Sequence, residues 1–259
     1  MAELAGFNAG EDVEIKFSFR VPSSFTEKSP DGWGYAFFKG GEWQLFKQSL
    51  DMEKILRIDT RTLTAHVISG KTFISHIRFA THGSSSYENT HPFDRELFEK
   101  RWVFAHYGHL RTYRNIIGSQ EFFKPAGETD SESAFCLIMN DLRQLGRQDS
   151  SKVIAQTIEK TALELSKQGG LNFILSDGKT TYAFYSGYKS LYYHTLQPPY
   201  KSDLEGGDDQ LKFKINLTEK TTPITLIASM PILKYVHWQE FESGKVVVFK
   251  NGEKVKQLY

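Results

Sequence analysis

Thr129-Asp-Ser-Glu-Ser-Ala-Phe-Cys-Leu-Ile-Met-Asn-Asp-Leu-Arg-Gln-Leu145 and Ser151-Lys-Val-Ile-Ala-Gln-Thr-Ile-Glu-Lys-Thr-Ala-Leu-Glu-Leu-Ser-Lys167 are the two segments of this chain with helical periodicity. The first opens on a capping-box pattern: the Thr129 hydroxyl can accept one free N–H, and Glu132 can reach back for another. Ala134, Leu137, Ile138, Leu142 and Leu145 then recur at helical spacing, and Gly146 supplies a stop. In the second segment Val153, Ile154, Thr157, Ile158, Thr161 and Leu165 share one face, with Gly169-Gly170 as its end. Two amphipathic helices therefore sit side by side, each with an apolar face to bury on a sheet.

On either side the chain reads as strand. Val13 to Phe19 alternates, with Val13, Ile15, Phe17 and Phe19 on one face, until Pro22 and Ser23-Ser24 break the pattern. Gly34–Phe38 and Trp43–Phe46 flank Gly40-Gly41 as a hairpin does, and Lys71–Phe79 and Arg101–His106 follow. The polar segment from Thr81 to Arg95 between those two reads as a loop, longer than the usual connection of ~4–6 residues. Beyond the helices come Leu171–Leu175, Thr180–Tyr185, Leu191–His194, Leu211–Leu217, Ile224–Ser229 and Val246–Phe249, the last turning at Lys250-Asn-Gly-Glu253. Tyr200–Gln210 reads as a surface excursion. Strands, then two helices, then strands exclude alternating βαβ units and predict an α+β fold of antiparallel layers. No repeat divides the chain, so residues 1–259 are read as a single domain.

Composition narrows the function. Lys and Arg number 32 against 31 Asp and Glu, so there is no basic field for nucleic acid. No apolar run reaches the ~18–20 residues of a membrane span, and the first ten residues lack a basic segment followed by an apolar one, so a cytoplasmic protein is expected. The one cysteine, Cys136, excludes an internal disulfide and a multi-cysteine zinc site, and reads as a core residue. His76, His82, His91, His106 and His109 crowd together, but there is no HExxH. The His106-x-x-His109 pair is expected to leave its strand and turn away, and no metal is expected. Ser84-Ser85-Ser86 lacks the G-x-S-x-G elbow of a serine hydrolase and reads as loop. Arg78, at a strand end, offers a planar fork for a carboxylate, and Asp130, at a helix start, offers an anion for an ammonium. Together they suit a zwitterionic amino acid. Separately, Arg78 also reads as half of an ion pair and Asp130 as a plain N-cap.

The order of several short strings says more than any one residue. They are Met1-Ala-Glu-Leu-Ala-Gly-Phe7, Asp31-Gly-Trp-Gly34, His76-Ile-Arg-Phe-Ala-Thr81, Glu88-Asn-Thr-His-Pro-Phe93, Phe104-Ala-His-Tyr-Gly-His-Leu110, Gly127-Glu-Thr-Asp-Ser-Glu132, Leu175-Ser-Asp-Gly178 and the late strand at Ile227–Ile232. In this order the chain resembles the class II glutamine amidotransferases of the N-terminal-nucleophile (Ntn) hydrolase type, above all the small stand-alone bacterial members, over nearly its whole length. The resemblance implies a four-layer αββα sandwich, two antiparallel sheets between helical layers. It also implies hydrolysis of glutamine to glutamate and ammonia without a cofactor, the ammonia passing to an acceptor site that another polypeptide would carry.

In that family residue 2, exposed by loss of the initiator methionine, is a cysteine whose thiolate attacks the amide while its own α-amine acts as base. Carried over by position, Arg78 matches the binder of the α-carboxylate, Asp130 that of the α-ammonium, and Gly108 the backbone oxyanion donor, with Thr81 as a further substrate-binding position. Three catalytic parts depart from the pattern. Residue 2 is Ala2; Tyr107 stands where an asparagine side chain completes the oxyanion hole; and Pro22–Ser29 lacks the arginine and glycines of the family's loop. The resemblance thus implies a pseudoenzyme with a retained pocket for glutamine or a γ-glutamyl compound. Two other readings stay open: an active amidotransferase in which engineering put Ala2 in place of the nucleophilic cysteine, and a non-catalytic interaction subunit with a vestigial pocket.

Overall fold

The alternation at Val13, Ile15 and Phe17 belongs to the second half of a longer strand. In the computed structural model, which describes residues 3–19, 30–50, 66–80, 83–111, 122–207 and 211–256, β1 (Leu4–Phe19) is followed by β2 (Gly32–Lys39), β3 (Glu42–Ser49), β4 (His66–Arg78), β5 (Phe93–Leu97) and β6 (Lys100–Leu110). The helices α1 (Asp130–Leu145) and α2 (Ser151–Ser166) come next. β7 (Gly169–Ser176), β8 (Thr180–Tyr185), β9 (Tyr192–Leu196), β10 (Leu204–Gly207) and β11 (Leu211–Asn216) follow, then β12 (Ile224–Ala228), β13 (Gln239–Glu240), β14 (Lys245–Lys250) and β15 (Glu253–Lys254).

These strands make two antiparallel sheets. One runs β13-β9-β12-β1-β4-β2-β3, with β11 also paired to β1 and β10 to β11; the other runs β15-β14-β8-β7-β6-β5. The β2–β3 hairpin turns where expected, on Gly40 and Gly41, whose φ of 62° and 92° are the positive values that a tight two-residue hairpin demands. Strand alternation sorts the core into layers. Leu4, Ile74, Val103, Ala105, Ile174 and Ile227 fill the space between the sheets. The other face of the smaller sheet packs on the helices, where Phe104 and Phe135 stack nearly parallel with centroids 5.0 Å apart. Truncating either ring to alanine would cost about 3–5 kcal/mol. Both described helices lie on this sheet. The outer face of the larger sheet carries its own apolar cluster, including Phe7, Phe17, Trp33 and Phe73, and among the described residues no helix covers it. No described helix is long and apolar enough to cross a membrane.

Several details differ from the sequence reading. β5 begins within the last residues of the segment taken as loop and runs past its end, because Phe93–Leu97 pairs with β6. β10 forms inside the supposed excursion at 200–210, pairing with β11. β6 continues to Leu110, so His106 and His109 both lie on it and the chain does not turn away between them. The capping box is half formed: the Thr129 hydroxyl accepts from Glu132 N at 3.1 Å, but the Glu132 carboxylate reaches Gly127 N at 2.7 Å and Arg95 at 2.6 Å instead of the cap's own N–H. That arrangement ties the turn before α1 to β5. α2 stops on Lys167, and Gly169-Gly170 opens β7.

Candidate active site

β4 and β6 come from different sheets, yet their ends meet. The pairing of Leu4 with His76 and of Gly32 with Arg78 brings the start of β1 and the end of β4 together. His106–His109 of β6 and the first turn of α1 close the other side. Between them lies a cavity of about 180 Å³ lined by Glu3, Arg78, His106, Tyr107, Asp130 and Lys189, among others. It is smaller than the ~300–1,000 Å³ of drug-sized pockets and suits a ligand of amino-acid size.

Arg78 is buried and forms an ion pair with Asp31. The nitrogen that meets Asp31, Nη1, also donates to the Ser84 carbonyl at 3.3 Å, and Nη2 donates to the Gly83 carbonyl at 3.2 Å. Burial opposes both charges, raising the Asp31 pKa and lowering that of Arg78, while the partners' mutual attraction opposes burial. The ion-pair reading of Arg78 therefore holds, and the residue also faces the cavity. Asp130 is not the N-cap, a role that Thr129 takes. The buried Asp130 carboxylate accepts from Leu110 N at 2.7 Å and Ser131 N at 2.9 Å, with His109 Nδ1 at 3.7 Å.

Three buried imidazoles also line the cavity. His106 Nε2 lies 3.1 Å from the Gly170 carbonyl, which can only accept, so Nε2 carries the proton and Nδ1 accepts from the Ser131 hydroxyl at 2.8 Å. His76 and His91 pack with ring centroids 4.0 Å apart; His76 Nδ1 and both nitrogens of His91 make no hydrogen bond among the described residues. Burial, then neighbouring His106 and Arg78, push the His76 pKa down to about 3. Burial likewise lowers His91 and His106. All three are neutral at pH 7. Among the described residues no three His, Cys, Asp or Glu side chains are grouped to hold a metal ion.

Tyr107 points between the sheets and is half-buried, and the Lys189 ammonium lies 4.4 Å from its ring centroid. Burial, with the nearby Glu3 charge, raises the phenol pKa, and Lys189 opposes the rise. At Gly108 a Cβ would come within 2.1 Å of the Gly170 oxygen and 2.7 Å of His106 Nε2, so strand packing alone requires glycine there. Cys136 is fully buried on α1, away from the cavity, with its thiol pushed up to about 11 by burial. Arg78, Tyr107, Gly108 and Asp130 thus share one cavity. Ala2, Thr81 and the 22–29 loop lie outside the described residues. Glu3, Tyr188 and Lys189 were missed, since Lys189 belongs to none of the short strings and reaches the site from the β8–β9 connection.

Comparison with known proteins gives the family. Residues 1–258 match the family model of class II glutamine amidotransferases. The chain belongs to that family. Among class II glutamine amidotransferases it is 33% identical to a Haemophilus influenzae protein described as a glutamine amidotransferase, over 100% of this chain and 87% of the relative. It is also 33% identical to the similarly described YafJ of Escherichia coli K12, over 98% of this chain and 100% of YafJ. A crystal structure of a Pseudomonas aeruginosa protein described as a glutamine amidotransferase superposes with a TM-score of 0.84 at 30% identity, covering 98% and 100% of the two chains. The Bacillus subtilis glutamine phosphoribosylpyrophosphate amidotransferase shares the fold alone, at a TM-score of 0.52 and 14% identity over 94% of this chain and 48% of that one.

Proposed function

We propose that this class II glutamine amidotransferase-like protein binds glutamine or a γ-glutamyl compound in the cavity between Arg78 and Asp130, and does not hydrolyse it while residue 2 is alanine. The observation that carries the reading is the arrival of those two opposite charges, from different layers, at one amino-acid-sized cavity. Arg78 takes the α-carboxylate with its planar fork. Asp130 takes the α-ammonium; its two backbone bonds use fewer than the ~4 lone-pair sites of a carboxylate. Catalysis needs more than binding. The methyl of Ala2 has no pair of electrons to attack a carbonyl, and Tyr107 replaces the amide donor expected at the oxyanion. An oxyanion donor is worth about 2.7–4 kcal/mol, and loss of a nucleophile from its unit costs on the order of a millionfold in rate. Ground-state binding survives such losses.

Two measurements test this. Calorimetric titration with glutamine should give binding to the protein and none to Arg78→Ala; equal heats for both would remove the pocket assignment. Ammonia release should be absent from the chain with Ala2. Turnover by it would refute inactivity, and turnover by Ala2→Cys would mean that Tyr107 is tolerated and that a cysteine at residue 2 is all an active enzyme lacks.

A further inference from the structure

A second cavity, of about 420 Å³, lies far from the amino-acid pocket. Lys71 lines it from β4, seven residues before Arg78 on the same strand, or about 23 Å at the rise of an extended chain. Lys179, on the β7–β8 turn, and Lys250, at the end of β14, line it as well, with Asp12 as its one carboxylate. All three lysines are exposed, and none is ion-paired among the described residues. Three ammonium groups against one carboxylate leave a net charge of +2. The backbone beneath them is tied together by one buried network. The Asn8 carboxamide, 1% exposed, donates to the Lys179 carbonyl at 3.5 Å and the Thr72 hydroxyl at 3.4 Å, and accepts from Gly252 N at 2.8 Å. Thr72, next to Lys71, donates to the Gly178 carbonyl at 2.7 Å, and Thr225 to that of Gly252 at 2.7 Å. A ligand here meets turns that are already ordered, which lowers the cost of binding. An adjoining cavity shares Phe38, Gly41 and Lys179 and contains four acids, but these have cations of their own. Asp177 pairs with Lys100 at 3.1 Å and Glu99 with Arg147 at 2.6 Å, while Glu96 stands opposite Arg101 and Glu42 opposite Lys39 in their ladders.

We propose that this cavity binds a small organic phosphate, whose head is held by Lys71, Lys179 and Lys250. A phosphate monoester carries about −1.5 to −2 charges at pH 7, close to what Asp12 leaves unmatched on the three lysines, and offers three strong acceptor oxygens. Each ammonium is a point charge with three donors and no acceptor, a form that suits a phosphate approached from several sides. The volume falls within the ~300–1,000 Å³ of small-molecule sites, so there is room for the organic part beside the head. The cavity shares no lining residue with the amino-acid pocket, so the phosphate site stands whether or not glutamine binds at Arg78 and Asp130.

Calorimetric titration of the full chain with glycerol 2-phosphate, in low salt and a phosphate-free buffer, should give one saturable site with Kd of about 1 mM or below. Glycerol itself should give no heat of binding. Inorganic phosphate should bind more weakly, because it leaves most of the cavity unfilled; equal affinity would overturn the organic phosphate in favour of the free ion. Lys179→Gln and Lys250→Gln should each weaken binding about tenfold, and Asp12→Asn, which removes the opposing charge, should tighten it. Lys160→Gln, on the exposed side of α2, should leave it unchanged. Absence of binding, undiminished binding by both lysine variants of the cavity, or an equal loss in Lys160→Gln, the mark of diffuse surface charge, would overturn the site.

Discussion

Replacing His76 with glutamine tests whether the neutral histidine cluster beneath the pocket governs acid stability. His76 is 6% exposed, stacked on His91, with a folded-state pKa of about 3. In the unfolded chain it titrates near ~6.5. Between those values the unfolded state binds a proton that the native state does not, so native stability is full above the unfolded pKa and falls as the pH drops toward the folded one. From about pH 7.5 to about pH 5.0 the His76 contribution changes by roughly 1.5 pH units of protonation, or about 2 kcal/mol at 1.36 kcal/mol per unit. His91 and His106 are lowered by burial as well and add in the same direction. Urea unfolding followed by tryptophan fluorescence at the two pH values gives the answer. Whatever the baseline cost of the substitution, the gap between wild type and His76→Gln should narrow by about 2 kcal/mol at the lower pH. With a slope near 2 kcal/mol/M that is about 1 M in relative midpoint. Parallel pH profiles for the two proteins would refute the claim that His76 is held neutral.

Two further predictions concern packing. Gly108→Ala places a methyl group 2.1 Å from the Gly170 oxygen, which belongs to the neighbouring strand and cannot swing aside. Overpacking of this kind costs about 1–3 kcal/mol, so scanning calorimetry should show Tm lower by roughly 2–10 °C, and an unchanged Tm would mean that β6 and β7 separate freely there. Cys136, fully buried with its thiol pushed up to about 11, should be inert to a thiol-exchange reagent at mildly alkaline pH until denaturant is added; labelling of the native protein would contradict its burial.

Local patterns carried the architecture because they depend on neighbours a few residues apart. Both helices follow from an apolar stripe and a cap, and the β2–β3 hairpin from Gly40-Gly41 between alternating runs. β5 and β10 escaped notice because neither alternates clearly; each is a strand only because β6 or β11 offers it a ladder. The Glu132 side chain escaped for a similar reason, since Arg95, 37 residues earlier, competes for it and wins over the local cap.

The amino-acid sequence by itself determined the strand–helix–strand order, the α+β class, the family and the identity of Arg78, Asp130, Tyr107 and Gly108 as site candidates, all of which rest on short-range spacing or on strings read in order. Only the tertiary structure decided what those residues meet: Asp31 on Arg78, backbone amides on Asp130, Gly170 against Gly108, and Lys189 with Glu3 around Tyr107. Ion pairs and close backbone contacts form between residues far apart in the chain, and their partners are set by how two sheets and a helix end meet in space, which no local periodicity encodes.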